Sequence, residues 1–230
     1  MGAHLACCRT VPEVADCDSS DVEAALNELD EIYGGDASVV GDKSISDQTF
    51  FELASASRSS ELDAYGVATY GELLPLSVAL LLNHVDAQPG QVFFDLGCGH
   101  GKSVILAWLL GLNATGVELA KERWETACDA LSRNERAPCL ERGACEGIRF
   151  ILGDALRADF SHADIVFVNS LCFTPQMKDA LADSARKMRR GAFIVSSMYG
   201  LPGPGFIDHE PLYLACTWTR SVKFAVQCVA

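Results

Sequence analysis

No apolar run in this chain is long enough to cross a bilayer. The longest, Leu73 to Leu82, falls well short of the about eighteen residues that a membrane-spanning helix needs. Basic residues are also scarce: the 230 residues carry 18 Lys and Arg against 31 Asp and Glu, a net charge of −13. The imbalance is concentrated in residues 1–60, which hold 12 acids against 3 bases, whereas residues 61–230 hold 19 against 15. A surface so poor in Lys and Arg is unsuited to gripping DNA phosphates, and strong intrinsic DNA binding is not expected. A basic protein such as a histone is a better electrostatic match, although a solvated acidic surface is the commoner reason for such a charge. Metal-site spacing is missing too. None of the 10 cysteines forms a C-x-x-C pair and no His pair lies at zinc spacing, so no metal is expected. Met1 to Cys8 lacks the basic start and long apolar stretch of a secretory leader. Thiols in a reducing compartment, nucleus or cytosol, are the resulting expectation. Gly2 with Cys7 and Cys8 approaches a dual-acylation layout, but Ala6 stands where that motif prefers Ser or Thr, and a loose tail is the simpler reading.

What is present is the pattern of an α/β domain. Val92 to Gly101, VFFDLGCGHG, reads as a buried strand ending in an acid, then a glycine loop that opens a helix. Such a unit puts a ligand outside the strand's carboxyl end. Its G-x-G-x-G spacing differs from the dinucleotide fingerprint and from the phosphate loop that ends in G-K-[ST]. With an acid before it, it matches the S-adenosyl-L-methionine loop of class I methyltransferases. Upstream, residues 1–18 show no periodicity. Ser20 and Glu23 then form a capping box before a helical run of Val22, Ala25, Leu26, Leu29, Ile32 and Tyr33, stopped by Gly34 and Gly35. Residues 36–60 are polar and read as a lead-in or lid.

From Tyr70 onward helices and strands alternate. Helices are expected at Leu73–Val85, Lys102–Gly111, Lys121–Arg133 and Gln176–Arg190. Strands are expected at Gln91–Leu96, Ala114–Glu118, Arg149–Leu152, Ile165–Asn169 and Ala192–Ser197, with a closing hairpin of Pro211–Trp218 and Ser221–Val229. Residues 137–147 read as an irregular loop. The sum is a doubly wound, seven-stranded α/β sheet with an antiparallel C-terminal hairpin, spanning residues 61–230 behind an acidic N-terminal segment of residues 1–60.

Three further polar residues fall at strand ends. Glu118 closes the second strand about 20 residues after the glycine loop, where an acid accepts the ribose hydroxyls of an adenosine cofactor. Asp154, in Gly153-Asp154-Ala155, follows the third strand at the position that contacts an adenine amino group in such folds, although a turn Asp looks the same. Asn169 ends the fourth strand, beside the place of the reactive sulfonium. The Asn/Asp-Pro-Pro-aromatic signature of DNA N-methylation is lacking there. An Asn side-chain oxygen orients an amine without ionising.

The motifs Tyr70-Gly71-Glu72, Asp95 to Gly101, Gly116-Val117-Glu118, Val166-Phe167-Val168-Asn169 and Ile194-Val195-Ser196-Ser197 occur in order. Together they resemble the non-SET histone-lysine methyltransferases, the family named for disruption of telomeric silencing, over roughly Leu62 to the C terminus. The resemblance implies S-adenosyl-L-methionine as cofactor. It implies Tyr70, Glu72, Asp95, Gly97, Gly99, Gly101, Lys102, Glu118, Asp154, Ala155 and Asn169 as the cofactor site. Tyr70 would sit on a loop closing over the methionine moiety, and Asn169 would border the lysine channel; these two are the expected catalytic residues. Phe173, Tyr199, Trp218 and Phe224 are the candidate channel walls, and Trp218-Thr219 matches a Trp-Thr of the family hairpin without an assigned role.

The chain departs from the family in five ways, one being a short segment between the last two strands. Lys102 replaces a Gln and Ser170 replaces a second Asn. Phe224-Ala225 stands where a Tyr is usual, and the basic stretch that grips nucleosomal DNA is missing. Arg186, Lys187, Arg189 and Arg190 are the only dense basic cluster, read as a solvated helix end. The implied activity is methyl transfer to a lysine amine of a protein, histone first, by direct displacement with no evident general base, in a monomer. A non-histone protein, a small molecule, or a cofactor-binding module without turnover are the alternatives.

Overall fold

A computed structural model describes residues 19–35, 71–134 and 141–230. Helices α1 (Ser19–Ile32) and α2 (Pro75–His84) precede the first strand, β1 (Val92–Leu96). The chain continues through α3 (Lys102–Leu109), β2 (Asn113–Glu118), α4 (Lys121–Ser132), β3 (Ala144–Cys145) and β4 (Ile148–Leu152). A short 3₁₀ turn (Ala155–Arg157), β5 (Ile165–Val168), α5 (Pro175–Ala185), β6 (Phe193–Ser197), β7 (Phe206–Cys216) and β8 (Thr219–Val229) complete it. The strands form one sheet in the order β3-β4-β2-β1-β5-β6-β8-β7. The pairs from β4 to β6 are parallel, while β3, β8 and β7 join antiparallel.

Alternation along the inner strands sets two layers, because successive side chains leave opposite faces of a sheet. Phe93, Ile165, Phe167 and Val195 pack with residues of α1 to α4. Phe94, Leu96, Val166, Val168 and Ile194 pack on the other face against Leu181, Ala182 and Ala185 of α5. With both faces covered, the strands read as nearly continuous apolar runs, as parallel strands do. Ala25, Leu29 and Ile32 of α1 enter the same core as α3, and the Tyr33 hydroxyl donates to the carbonyl of His100 in the glycine loop at 2.6 Å. Lys102 Nζ lies 5.4 Å from the centre of the Tyr33 ring. Helix α1 thus buttresses the loop that begins α3.

The seven expected strands are present, and a two-residue eighth, β3, lies in the segment read as an irregular loop. Too short for any periodicity, it had no signal. The hairpin also begins earlier than expected, at Phe206. Pro211 lies inside β7, which is tolerated because β7 is the edge strand and its register shifts between His209 and Leu212. Trp218 belongs to the turn between β7 and β8 rather than to a strand. Helix α5 ends at Ala185, not Arg190. Arg186 leaves it to donate to the carbonyls of Pro202 at 2.7 Å and Pro204 at 2.9 Å and to meet Asp183 at 2.6 Å. Arg189 pairs with Asp164 at 2.5 Å. Arg186 therefore fastens a loop of the fold, whereas Arg189, though paired with Asp164, keeps its side chain 60% exposed.

Candidate active site

The strand order reverses direction at β1: the chain first builds outward through β2 and β4, then returns to place β5 on the other side. Doubly wound sheets bind ligands outside the carboxyl ends of strands at such a switch point. A cavity of about 580 Å³ opens there. Its wall contains Glu72, Asp95, Gly97, Lys102, Glu118, Asp154, Ala155, Asn169, Phe173 and Trp218 of the expected residues. Four others fall elsewhere. Gly99 and Gly101 are buried and do not line the cavity. Phe224 is fully buried against Phe167, with ring centres 5.8 Å apart. Tyr199 is exposed and borders a separate cavity of about 240 Å³. Phe224 faces inward with Val222 and Val226, on the apolar side of a strand whose Ser221 and Lys223 are exposed, and pairs with Ser197 of β6. Tyr70 lies outside the described residues.

The glycine loop owes its shape to space as well as backbone. Gly97 and Gly101 have φ of +93° and +85°, which glycine adopts without strain. A Cβ on Gly101 would also lie 2.6 Å from Phe150 and 2.9 Å from Ala127. Glu118 holds the loop from the next strand. Its two carboxylate oxygens accept the backbone N–H groups of Gly99 and Ala120, each at 2.8 Å. Asp154 turns the chain after β4 by accepting the Leu156 N–H at 2.9 Å, so it caps the 3₁₀ turn as well as lining the cavity.

Asp95 is buried at the end of β1, where the Ser103 hydroxyl donates to its Oδ2. Burial raises its pKa from 3.8 to about 7, with Ser103 opposing and the charges of Glu118 and Glu72 adding to the rise. Its Oδ1 has no hydrogen-bond partner among the described residues. The same holds for Oδ1 of Asn169, whose Nδ2 donates to the Gly71 carbonyl at 3.2 Å. Two unsatisfied buried acceptors in one wall are costly in an empty site and call for a ligand that brings donors. Glu72 lies against the glycine loop, 3.4 Å from Lys102 Nζ and 3.4 Å from the His100 N–H it accepts. Its pKa is raised by burial, with Lys102 pulling the other way.

Several wall residues had no sequence signal. Arg123, on the first turn of α4, faces the cavity, and burial lowers its pKa against the opposing pull of Glu118 and Glu72. Leu171 and Cys172, which follow Asn169 in the chain, and Met177 also line the cavity, and Cys172 is exposed. No group of His, Cys, Asp and Glu among the described residues is placed to hold a metal ion.

This architecture is the class I methyltransferase fold. The magnesium protoporphyrin IX methyltransferase of Synechocystis, solved with bound SAM, matches with a TM-score of 0.52 at 13% identity, covering 83% of this chain and all of that one. An RNA methyltransferase from Salinibacter ruber, solved with S-adenosyl-L-homocysteine, matches at 0.50 and 21% identity, covering 66% of this chain and 89% of that one. The chain belongs to the family described as Histone methylation protein DOT1, whose model matches residues 52–202. Among relatives named histone-lysine N-methyltransferase, H3 lysine-79 specific, that of Aspergillus fumigatus is 32% identical over 154 residues, 63% of this chain and 30% of its own. That of Yarrowia lipolytica is 27% identical over 162 residues, 65% of this chain and 32% of its own. The chain spans about a third of the length of these two relatives.

Proposed function

We propose that this chain transfers a methyl group from S-adenosyl-L-methionine to a lysine amine of a protein, with histone H3 as the first candidate acceptor. Family membership and the names of the relatives support the substrate class. The observation that carries the chemistry is the pair of unsatisfied buried acceptors, Asp95 Oδ1 and Asn169 Oδ1, in the cavity at the switch point. The residues present fit the cofactor. Glu118 would accept ribose hydroxyls through its remaining lone pairs, Asp154 the adenine amino group, and Asp95 the ammonium of the amino-acid end, with Gly97 allowing close backbone approach. Bound there, S-adenosyl-L-methionine supplies an electrophilic methyl on a sulfonium.

The acceptor side belongs to Asn169. Its Oδ1 accepts an N–H of the incoming amine and points the nitrogen lone pair inward. An amide does not ionise, so Asn169 is no general base, and the lysine must arrive neutral. Phe173, Leu171 and Trp218 exclude water near the entrance, and desolvation lowers a lysine pKa. The proton released after transfer leaves to solvent. Positioning carries most of the acceleration. A histone acceptor implies work in the nucleus. The shortage of Lys and Arg, with Arg186 held by the Pro202 and Pro204 carbonyls, favours free histone, or a partner-assisted nucleosome, over unaided nucleosome binding.

The test is transfer of labelled methyl to nucleosomes, free histones and a cell extract in parallel, with Asp95→Ala as the blank. In the same assay Asn169→Ala is expected to lower turnover about 100-fold, while S-adenosyl-L-homocysteine affinity by calorimetry changes less than about 3-fold. Collapse of cofactor binding in that variant would remove Asn169 from the acceptor side.

A further inference from the structure

The Trp218-Thr219 motif is not explained by the cofactor site, and its surroundings give Trp218 a specific task. A Cβ on Gly71 would lie 2.2 and 2.3 Å from Cε3 and Cζ3 of the Trp218 ring, so the indole is pressed onto the Gly71 backbone. Glycine is required there by space. The rest of the turn grips the same segment. The Thr217 N–H donates to the Glu72 carbonyl at 2.9 Å, and Thr217 Oγ1 accepts the Glu72 N–H at 3.2 Å. The Leu74 N–H donates to the Ala215 carbonyl at 3.1 Å, extending the grip to the start of α2.

The gripped segment reaches two other parts of the cavity. The Gly71 carbonyl accepts Nδ2 of Asn169, and the Glu72 carboxylate meets Lys102 and the His100 N–H of the glycine loop. The bond to Gly71 fixes which way the Asn169 amide is turned. With Nδ2 held by that carbonyl, Oδ1 is the atom left for the acceptor.

We infer that Trp218 is a positioning residue: by pressing on Gly71 it holds the carbonyl that orients Asn169, and so the hairpin turn sets the acceptor geometry of the cavity. This rests on the proposed lysine methylation only for its consequence in turnover. The contact chain from Trp218 through Gly71 to Asn169 is independent of it.

Two measurements on the full chain test it. The first is the nitrogen-15 resonance of the Asn169 side-chain amide, assigned by its loss in Asn169→Ala. Trp218→Ala and Gly71→Ala are each expected to shift it and to speed its hydrogen exchange with water, and Trp218→Phe to restore most of the parent behaviour. The second is methyl transfer to histone. Trp218→Ala is expected to lower kcat about 10-fold, and Gly71→Ala, which leaves the Trp218 ring in the wall, to lower kcat as well through the disturbed Asn169 orientation. Gly71→Ala alone should be the worse variant, because its methyl collides with the indole. The double variant should be no worse than Trp218→Ala, since the collision is gone. An Asn169 amide resonance unmoved by Trp218→Ala, or losses that multiply in the double variant, overturns the inference. Should Trp218→Ala not fold, Gly71→Ala perturbs the same contact from the other side. A parent chain that transfers no methyl to any protein overturns the proposed function instead, and the amide resonance still decides the role of Trp218.

Discussion

Asp95→Asn is expected to melt at a higher temperature than the parent at pH 8, and yet to bind S-adenosyl-L-homocysteine about 100-fold more weakly. The two halves share a cause. A carboxylate with a pKa raised from 3.8 to about 7 by burial is harder to ionise in the folded chain than in the unfolded one. Between those values the folded state binds more protons, so stability falls as pH rises from about 4 to about 7 and stays lower above. The loss is bounded at about 4 kcal/mol. An Asn at 95 keeps an acceptor for the Ser103 hydroxyl and removes the buried charge, so the pH slope should flatten and the alkaline side should gain. The variant also lacks the negative charge that draws a cationic group into the cavity. For the parent, ligand affinity should strengthen as pH rises through about 7, because only the ionised carboxylate attracts an ammonium. Melting curves and calorimetry from pH 5 to 8.5 check both trends. Equal pH slopes in parent and variant would reject Asp95 as their source.

Glu118→Ala should cost both stability and ligand. The side chain satisfies two backbone donors, of Gly99 and Ala120, in a buried place. Leaving both unpaired costs about 1–3 kcal/mol each, a drop of roughly 5–15 °C in melting temperature for a chain of this size. The glycine loop loses its tie to β2 at the same time, so S-adenosyl-L-homocysteine binding should fall beyond calorimetric detection even where the variant remains folded. Glu118→Gln should be intermediate. It keeps one acceptor but turns an amide N–H toward a backbone N–H. A Glu118→Ala variant with parental melting and binding would mean that the loop is held by other contacts.

The part of this site that was legible in the sequence is the part made by local chain geometry. Strand, glycine loop and helix have fixed spacing, so Asp95, Gly97 and the opening of α3 could be placed from VFFDLGCGHG alone. Glu118 and Asn169 followed because each ends a strand whose length is set by the sheet. What was hidden depends on contacts between distant residues. Asn169 meets Gly71 across 98 positions, and Glu72 meets Thr217 across 145. Nothing periodic links such pairs. Tyr199 lies past the end of β6, where no strand parity places it, and Phe224 takes the core-facing parity of β8 with Val222 and Val226.

Cys172 gives the cavity a chemical reporter. Of the six described cysteines it alone is exposed, and it stands in the wall beside the acceptor side. Burial pushes the Cys128 and Cys216 thiols up to about 11 and about 12 and also raises Cys98 well above the ordinary thiol value, which leaves these three slow to react with alkylating reagents. The rate at which a maleimide consumes Cys172 therefore measures how often the wall is uncovered. Occupancy by cofactor or peptide can be followed by mass spectrometry in this way, with no turnover required.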